Sequence, residues 1–297
     1  MYTRILVPLD GSETAEKALP YARAFAGNLK VPVELLGVID ISHYASGDRV
    51  RYLDALIDAA ILRNQEYLKR VATTFAGARV ESTVEGGAPA EAIVTKAAGN
   101  KGTLIVMATH GRSGLKRWLL GSIAEKVLRG ASNPALLVRA SGETETEGEV
   151  TPTRIIVPLD GSELAEAALT TVVELARALK LKVVLLRAYS VKAIMYSDED
   201  NLHDSNEIAT ELKNEATRYL DHWAGRLKSE GCADVLPIVS EGDAAETIIG
   251  VAEGAPNSLI AMCTHGRSGV KRWVLGSVTE KVIRHAGNPV LVLRVAD

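Results

Sequence analysis

Only two cysteines, Cys232 and Cys263, occur in the 297 residues of the chain. That number excludes a disulfide framework, and two free thiols in a reducing compartment are the simplest reading. Aromatic residues are also scarce, at 4%, so any core must be built from valine, isoleucine, leucine and alanine. No uncharged apolar run approaches the roughly 18 residues of a membrane-spanning helix. The opening Met1-Tyr2-Thr3-Arg4 leads into a strand-like segment without a signal-peptide pattern. No charge of one sign dominates either. A net charge of −3 gives no general reason to bind nucleic acid or an anionic membrane. The expectation is a soluble, cytoplasmic protein with neither as a partner.

What is present is ordinary globular composition, 47% hydrophobic and 24% charged. At about 150 residues per domain the length suggests two domains. Self-similarity makes this specific. RILVPLDGSETAEKAL from Arg4 matches RIIVPLDGSELAEAAL from Arg154 at 13 of 16 positions. The block from Leu104 to Arg139 matches that from Leu259 to Arg294 at 24 of 36 positions, with five extra residues in between. A period of this size is that of a fused pair of homologous domains. We place them at 1–140 and 153–297. Residues 141–152 form a linker within a stretch carrying four glutamates and no apolar periodicity.

Short β-branched runs alternate with helical patterns in each copy. Strands are predicted near 4–9, 33–39, 79–84, 103–108 and 134–139, and near 154–159, 182–188, 234–239, 258–263 and 289–295. Apolar residues spaced three and four apart predict helices at 13–29 and 163–179. Runs such as Leu104-Ile105-Val106-Met107 are apolar throughout, which suits strands covered on both faces. That implies a parallel sheet with crossover helices, a doubly wound α/β domain made twice.

Parallel sheets of this kind bind ligands at the carboxyl ends of their strands, and three features fall there. The first is Val7-Pro8-Leu9-Asp10-Gly11-Ser12 with its copy Val157 to Ser162. The aspartate either caps the following helix or holds a ribose hydroxyl or a metal-bound water. The second is the loop ATHGRSGLKRWLLGS from Ala108, repeated from Cys263. Its glycines permit close backbone approach, and it leads into a helix whose amino end favours a phosphate. Ser122 with Glu125, and Ser277 with Glu280, fit capping boxes; a capping hydroxyl and a phosphate contact are compatible roles. Arg112, Lys116 and Arg117, with Arg267, Lys271 and Arg272, either form a solvated basic face or favour an anionic ligand. His110 and His265 most simply hydrogen-bond the loop, and Trp118 and Trp273 anchor it. The third feature, Gly37-Val38-Ile39-Asp40 and Arg187-Ala188-Tyr189-Ser190, is either plain core or the wall of an adenine pocket. The acidic stretch between Tyr196 and Ala216 reads as a solvated loop entering a helix, or as a lid.

The segments VPLDGSE and GAPAEAI and the block from MATHGRSGLKRWLLGS to SNPALLVR together resemble the universal stress protein family, over essentially both copies. Its ATP-binding members carry the spacing Gly-x2-Gly-x9-Gly-Ser/Thr. Here Gly111, Gly121 and Ser122, and Gly266, Gly276 and Ser277, supply the last three positions. Ala108 and Cys263 replace the first glycine. The resemblance implies the strand order 3-2-1-4-5 and ATP, with or without Mg2+, as ligand. Asp10 and Asp160 would approach the adenosine and Val38 and Ala188 the adenine. Gly111, Gly121 and Ser122, with their second-copy equivalents, would surround the phosphates. It further implies pairing of the two copies as an internal pseudo-dimer through their fifth strands, compatible with a homodimer of the whole chain. No Walker A or Rossmann glycine pattern follows a strand, and no nucleophile–base pair stands out. The expectation is a sensor or regulator of stress responses, at most a slow ATPase, with no catalytic or metal-ligating residues to name. The alternative is an interaction module that has lost its nucleotide.

Overall fold

The computed structural model describes residues 1–40, 53–109, 120–139, 149–191, 205–263 and 275–294. Two compact units emerge, Met1–Thr151 and Pro152–Val295. Most of the expected linker lies outside the described residues.

In the first unit the strands are β1 (Arg4–Leu9), β2 (Val33–Ile39), β3 (Val80–Gly86), β4 (Thr103–Ala108) and β5 (Ala135–Val138). All neighbours pair in parallel, in the order β3-β2-β1-β4-β5. The second unit repeats this with β6 (Arg154–Pro158), β7 (Lys182–Tyr189), β8 (Val235–Glu241), β9 (Ser258–Cys263) and β10 (Val290–Leu293). There the order is β8-β7-β6-β9-β10. Each domain is therefore the expected doubly wound α/β fold, and its strand order reverses beside the first strand.

Every residue of β4, β5, β9 and β10 is buried, as the unbroken apolar runs require for strands covered on both faces. The edge strands differ. β3 reads VESTVEG and is mostly half-buried or exposed, because its outer side has no further strand to cover.

Helices α1 (Glu13–Glu16) and α2 (Leu19–Leu29) follow β1, α3 (Leu53–Ala72) follows β2, α4 (Pro89–Ala98) follows β3 and α5 (Ser122–Gly130) follows β4. Their counterparts are α6 (Glu163–Leu179), α7 (Ser205–Ser229), α8 (Ala244–Glu253) and α9 (Ser277–His285). The single helix predicted over 13–29 is broken after Glu16, whereas 163–179 is continuous. Pro20, at the start of α2, has no N–H to give the preceding turn. Thr170 occupies that place in α6 and keeps the helix whole. Among described residues no helix is long and apolar enough to cross a membrane.

A buried ionic cluster distinguishes the first unit. Glu34, only 8% exposed, takes Arg4 on Oε2, while Oε1 meets Lys96 at 3.1 Å and Thr83 at 3.3 Å. Arg4 also donates to Thr103 Oγ1 and the Lys96 carbonyl. Glu85, then Glu34, raise the Lys96 ammonium above its ordinary pKa. In the second unit the places of Glu34 and Lys96 are taken by Val184 and Val251, and Arg154 is exposed.

Candidate functional site

At the end of β1 the chain turns upward through Asp10-Gly11-Ser12. Gly11 has φ +79°, in the left-handed region that a residue without Cβ enters freely. This turn brings Ser12 back over Asp10. The Asp10 Oδ1 accepts from both the Ser12 amide, at 3.0 Å, and the Ser12 hydroxyl, at 2.6 Å. The Ser12 Oγ in turn accepts from the Ala15 amide at 3.1 Å and caps α1. The second domain repeats the arrangement with Gly161 at φ +85°. Ser162 lies 3.0 and 2.6 Å from Asp160 and caps α6 at 3.2 Å. The capping role weighed for the aspartates therefore belongs to the serines two residues on. Each aspartate braces its cap and stands half-buried at the strand end.

β4 runs beside β1, with Arg4, Ile5 and Leu6 in register with Thr103, Leu104 and Ile105. The Asp10 turn and the β4–α5 connection thus leave neighbouring strands at one edge. Thr109 follows β4; its amide donates to Val138 and its carbonyl accepts from Gly121 at 2.8 Å. Gly121 is the N-cap of α5 in extended conformation, and its carbonyl accepts from Glu125 at 2.9 Å. This corrects the capping-box reading. Ser122 is the first helical residue, exposed, and Glu125 pairs with Arg129 at 2.9 Å instead. Gly276 caps α9 in the same way, Ser277 is exposed, and Glu280 pairs with Arg284 at 2.7 Å. A glycine at the N-cap has no side chain to close the first turn.

Val38 and Ala188 are half-buried in strands whose preceding residues are buried. Both sit toward the carboxyl ends of their strands, β2 and β7. Ala108 and Cys263 end β4 and β9 and are 7% and 6% exposed. Gly111 and Gly266 lie outside the described residues. So do His110, His265, Trp118, Trp273 and the basic residues Arg112, Lys116, Arg117, Arg267, Lys271 and Arg272. Of the acidic stretch, the part beyond residue 205 begins α7, and the rest is outside them too.

The two copies part company at Cys263. Burial pushes its thiol up to about 11, the Asp160 carboxylate adds to the rise, and a backbone hydrogen bond from Ala168 opposes it. The proton is held in the fold and released more easily from the unfolded chain, whose thiol titrates near 8.5. The contribution to stability is thus complete below pH 8.5 and lost as pH climbs toward 11. The thiolate is the nucleophile, so iodoacetamide at pH 8 is expected to label Cys263 at least tenfold more slowly in the native chain than in urea. Equal rates, read by peptide mass spectrometry, would contradict a buried neutral thiol.

Arg187, named within the third feature but given no role of its own, interrupts an apolar strand. Its side chain is 10% exposed, and Nη2 meets Glu215 Oε1 at 3.3 Å. The guanidinium lies 4.4 Å from the centre of the Tyr219 ring. The Tyr219 hydroxyl donates to Glu166 in the first turn of α6 at 2.8 Å. In the first domain Tyr67 makes the same bond to Glu16 at 2.9 Å, but Gly37 replaces Arg187. Among described residues no group of three histidine, cysteine or acidic side chains is placed to hold a metal ion.

The model of the universal stress protein family matches residues 1–139 and again 152–294. This chain belongs to that family. Universal stress protein MJ0531 of Methanocaldococcus jannaschii is 33% identical over 141 residues, 47% of this chain and 83% of that protein. MJ0577 of the same organism is 32% identical over 155 residues, 47% of this chain and 96% of its own. Each alignment spans about half of this chain. The crystal structure of a universal stress protein from Archaeoglobus fulgidus covers 99% of both chains with a TM-score of 0.73 at 22% identity, a likeness of fold. The chain is a tandem universal stress protein.

Proposed function

We propose that each domain binds an adenine nucleotide, ATP with or without Mg2+, and that the chain acts as a sensor or regulator of stress responses in the cytoplasm. The observation that carries this reading is the glycine-capped helix start beside the Asp-Gly-Ser turn, present in both domains. First-turn amides from Ser122 and from Ser277 onward offer donors to phosphates at the positive end of a helix. Asp10 and Asp160, each with one oxygen already engaged by its serine, are fixed in orientation and suit a ribose hydroxyl. Val38 and Ala188 present small apolar surface for a base. Gly111 and Gly266 keep the family's second glycine, while Ala108 and Cys263 stand at its first. These residue types suit the ligand, and Mg2+ would neutralise its phosphate charge when bound.

The arrangement supplies binding groups but no paired nucleophile and base among the described residues, so turnover is at most slow. Titration of ATP into the whole chain is expected to show two binding events, with Asp10→Ala and Asp160→Ala each removing one or weakening it at least tenfold. Multiple-turnover loss of ATP would sink the sensor reading, and absence of heat or thermal shift at millimolar ATP would sink the nucleotide. That second result would favour a protein-interaction module. One observation speaks for this reading: Ala108 and Cys263, buried at the strand ends, add side chains where the ATP-binding members have glycine.

A further inference from the structure

The two domains solve one packing problem in opposite ways. Beneath the Asp10-Gly11-Ser12 turn the strand supplies Gly37 and the helix supplies Asn64. A Cβ on Gly37 would run into the Asn64 carboxamide, 2.9 Å from its Cγ. In the second domain the strand supplies Arg187 and the helix supplies Ala216, 1% exposed. The matching bonds Tyr67–Glu16 and Tyr219–Glu166 set the equivalence of α3 and α7 and align Asn64 with Ala216. A short polar helix residue over a glycine has been exchanged for a long cationic strand residue under an alanine.

The fold does not need that cation, since the first domain is built without it. Burying a guanidinium is expensive unless it is well paired. The ion partner of Arg187 among described residues is Glu215, 60% exposed and 3.3 Å away. What Arg187 does reach is the turn. Its Nη1 lies 3.2 Å from where a Cβ of Gly161 would stand, and Nη2 lies 3.5 Å away. On its other side the guanidinium plane rests on Tyr219, which is tied to the first turn of α6. The arginine is therefore wedged between the helix pair and the underside of Asp160-Gly161-Ser162.

We propose that Arg187 is a positioning residue peculiar to the second domain, bracing the Asp160-Gly161-Ser162 turn from below so that this domain's adenine-nucleotide affinity depends on it while the first domain's does not. The proposal rests on the nucleotide reading above for its ligand, and on geometry alone for the brace. Stacking and close contact, rather than a bond to the ligand, transmit the effect.

Arg187→Met keeps length and packing against Tyr219 but removes the planar cation. ATP titrations of the whole chain read each domain separately, the second in an Asp10→Ala background and the first in an Asp160→Ala background. Arg187→Met is expected to weaken the second domain's binding at least tenfold and to leave the first within twofold. Amide hydrogen exchange reads the brace without any ligand. Ser162 and Ala165, which donate to Asp160 and to Ser162, should exchange at least tenfold faster in Arg187→Met, with Ser12 and Ala15 unchanged. Millimolar methylguanidinium added to Arg187→Ala should restore their protection. Unchanged exchange at Ser162 overturns the brace whatever ATP does. Faster exchange with undiminished affinity overturns the dependence on Arg187. Failure of the unaltered chain to bind ATP in either domain overturns the nucleotide reading instead, and the exchange result still decides for or against the brace.

Discussion

Glu34→Ala is expected to destabilise the first domain by about 3 kcal/mol, the lower end of what breaking a buried ion pair costs, and to leave the second domain untouched. The lower end applies because Arg4 and Lys96 keep 21% and 26% of their side chains exposed, so water screens part of the loss. Without the carboxylate, two cations share one pocket and Thr83 loses its acceptor. In calorimetry the first domain should melt roughly 10 °C earlier, and its amides should lose exchange protection selectively. The second domain suggests the compensating change. Val184 and Val251 stand where Glu34 and Lys96 do, and Arg154 reaches solvent. Glu34→Val combined with Lys96→Val should therefore lie within about 1 kcal/mol of the unaltered chain, since well-packed apolar groups often replace buried ion pairs without loss. A double variant as unstable as Glu34→Ala would show that the cluster contributes more than its own desolvation.

Gly37→Arg alone is expected to cost about 3–5 kcal/mol. The new side chain meets the Asn64 carboxamide, and the place that Glu215 fills in the second domain holds no carboxylate. The position equivalent to Glu215 is occupied in the first domain by Arg63, which donates to Ala59 of its own helix. Adding Asn64→Ala opens the space but leaves two guanidinium groups facing one pocket, so recovery should be partial. Adding Arg63→Glu as well reproduces the second domain's set, with Tyr67 in the place of Tyr219, and should recover most of the loss. Couplings of 1–3 kcal/mol are typical of residues in contact, and chemical denaturation of the single, double and triple variants measures them. Additive losses along this series would mean that the two copies do not share the geometry of this corner.

These corners mark the limit of what the amino-acid order revealed. Strand placement was legible because burial on both faces leaves an apolar run, and β1, β2, β4, β6 and β9 start and end within one residue of where those runs do. The edge strand β3, VESTVEG, was legible as a strand without an unbroken apolar run, and it is half-buried or exposed throughout. Helix 13–29 misled because periodicity ignores backbone donors, and Pro20 removes one. At the site, Asp10 and Asp160 were weighed as helix caps or as groups for a ribose hydroxyl or a metal-bound water, and the capping role belongs to Ser12 and Ser162. The capping boxes proposed at Ser122 and Ser277 failed by one residue, because Gly121 and Gly276 start the helices through their backbones. Arg187 was hidden for another reason. Its partners Glu215 and Tyr219 lie 28 and 32 positions away, and nothing in the strand alone says that an arginine there will be sheltered.

The hydrogen bond from Gly121 to Thr109 has an evolutionary consequence. It ties the end of β4 to the start of α5, since Thr109 is also bound to Val138 of β5 and Gly121 opens α5. For a stretch closed in this way length is cheap: doubling it adds only about 0.6 kcal/mol of closure entropy. The sheet beneath therefore sets little constraint on residues 110–119, yet eight of these ten residues recur at 265–274, so closure is not what keeps them alike.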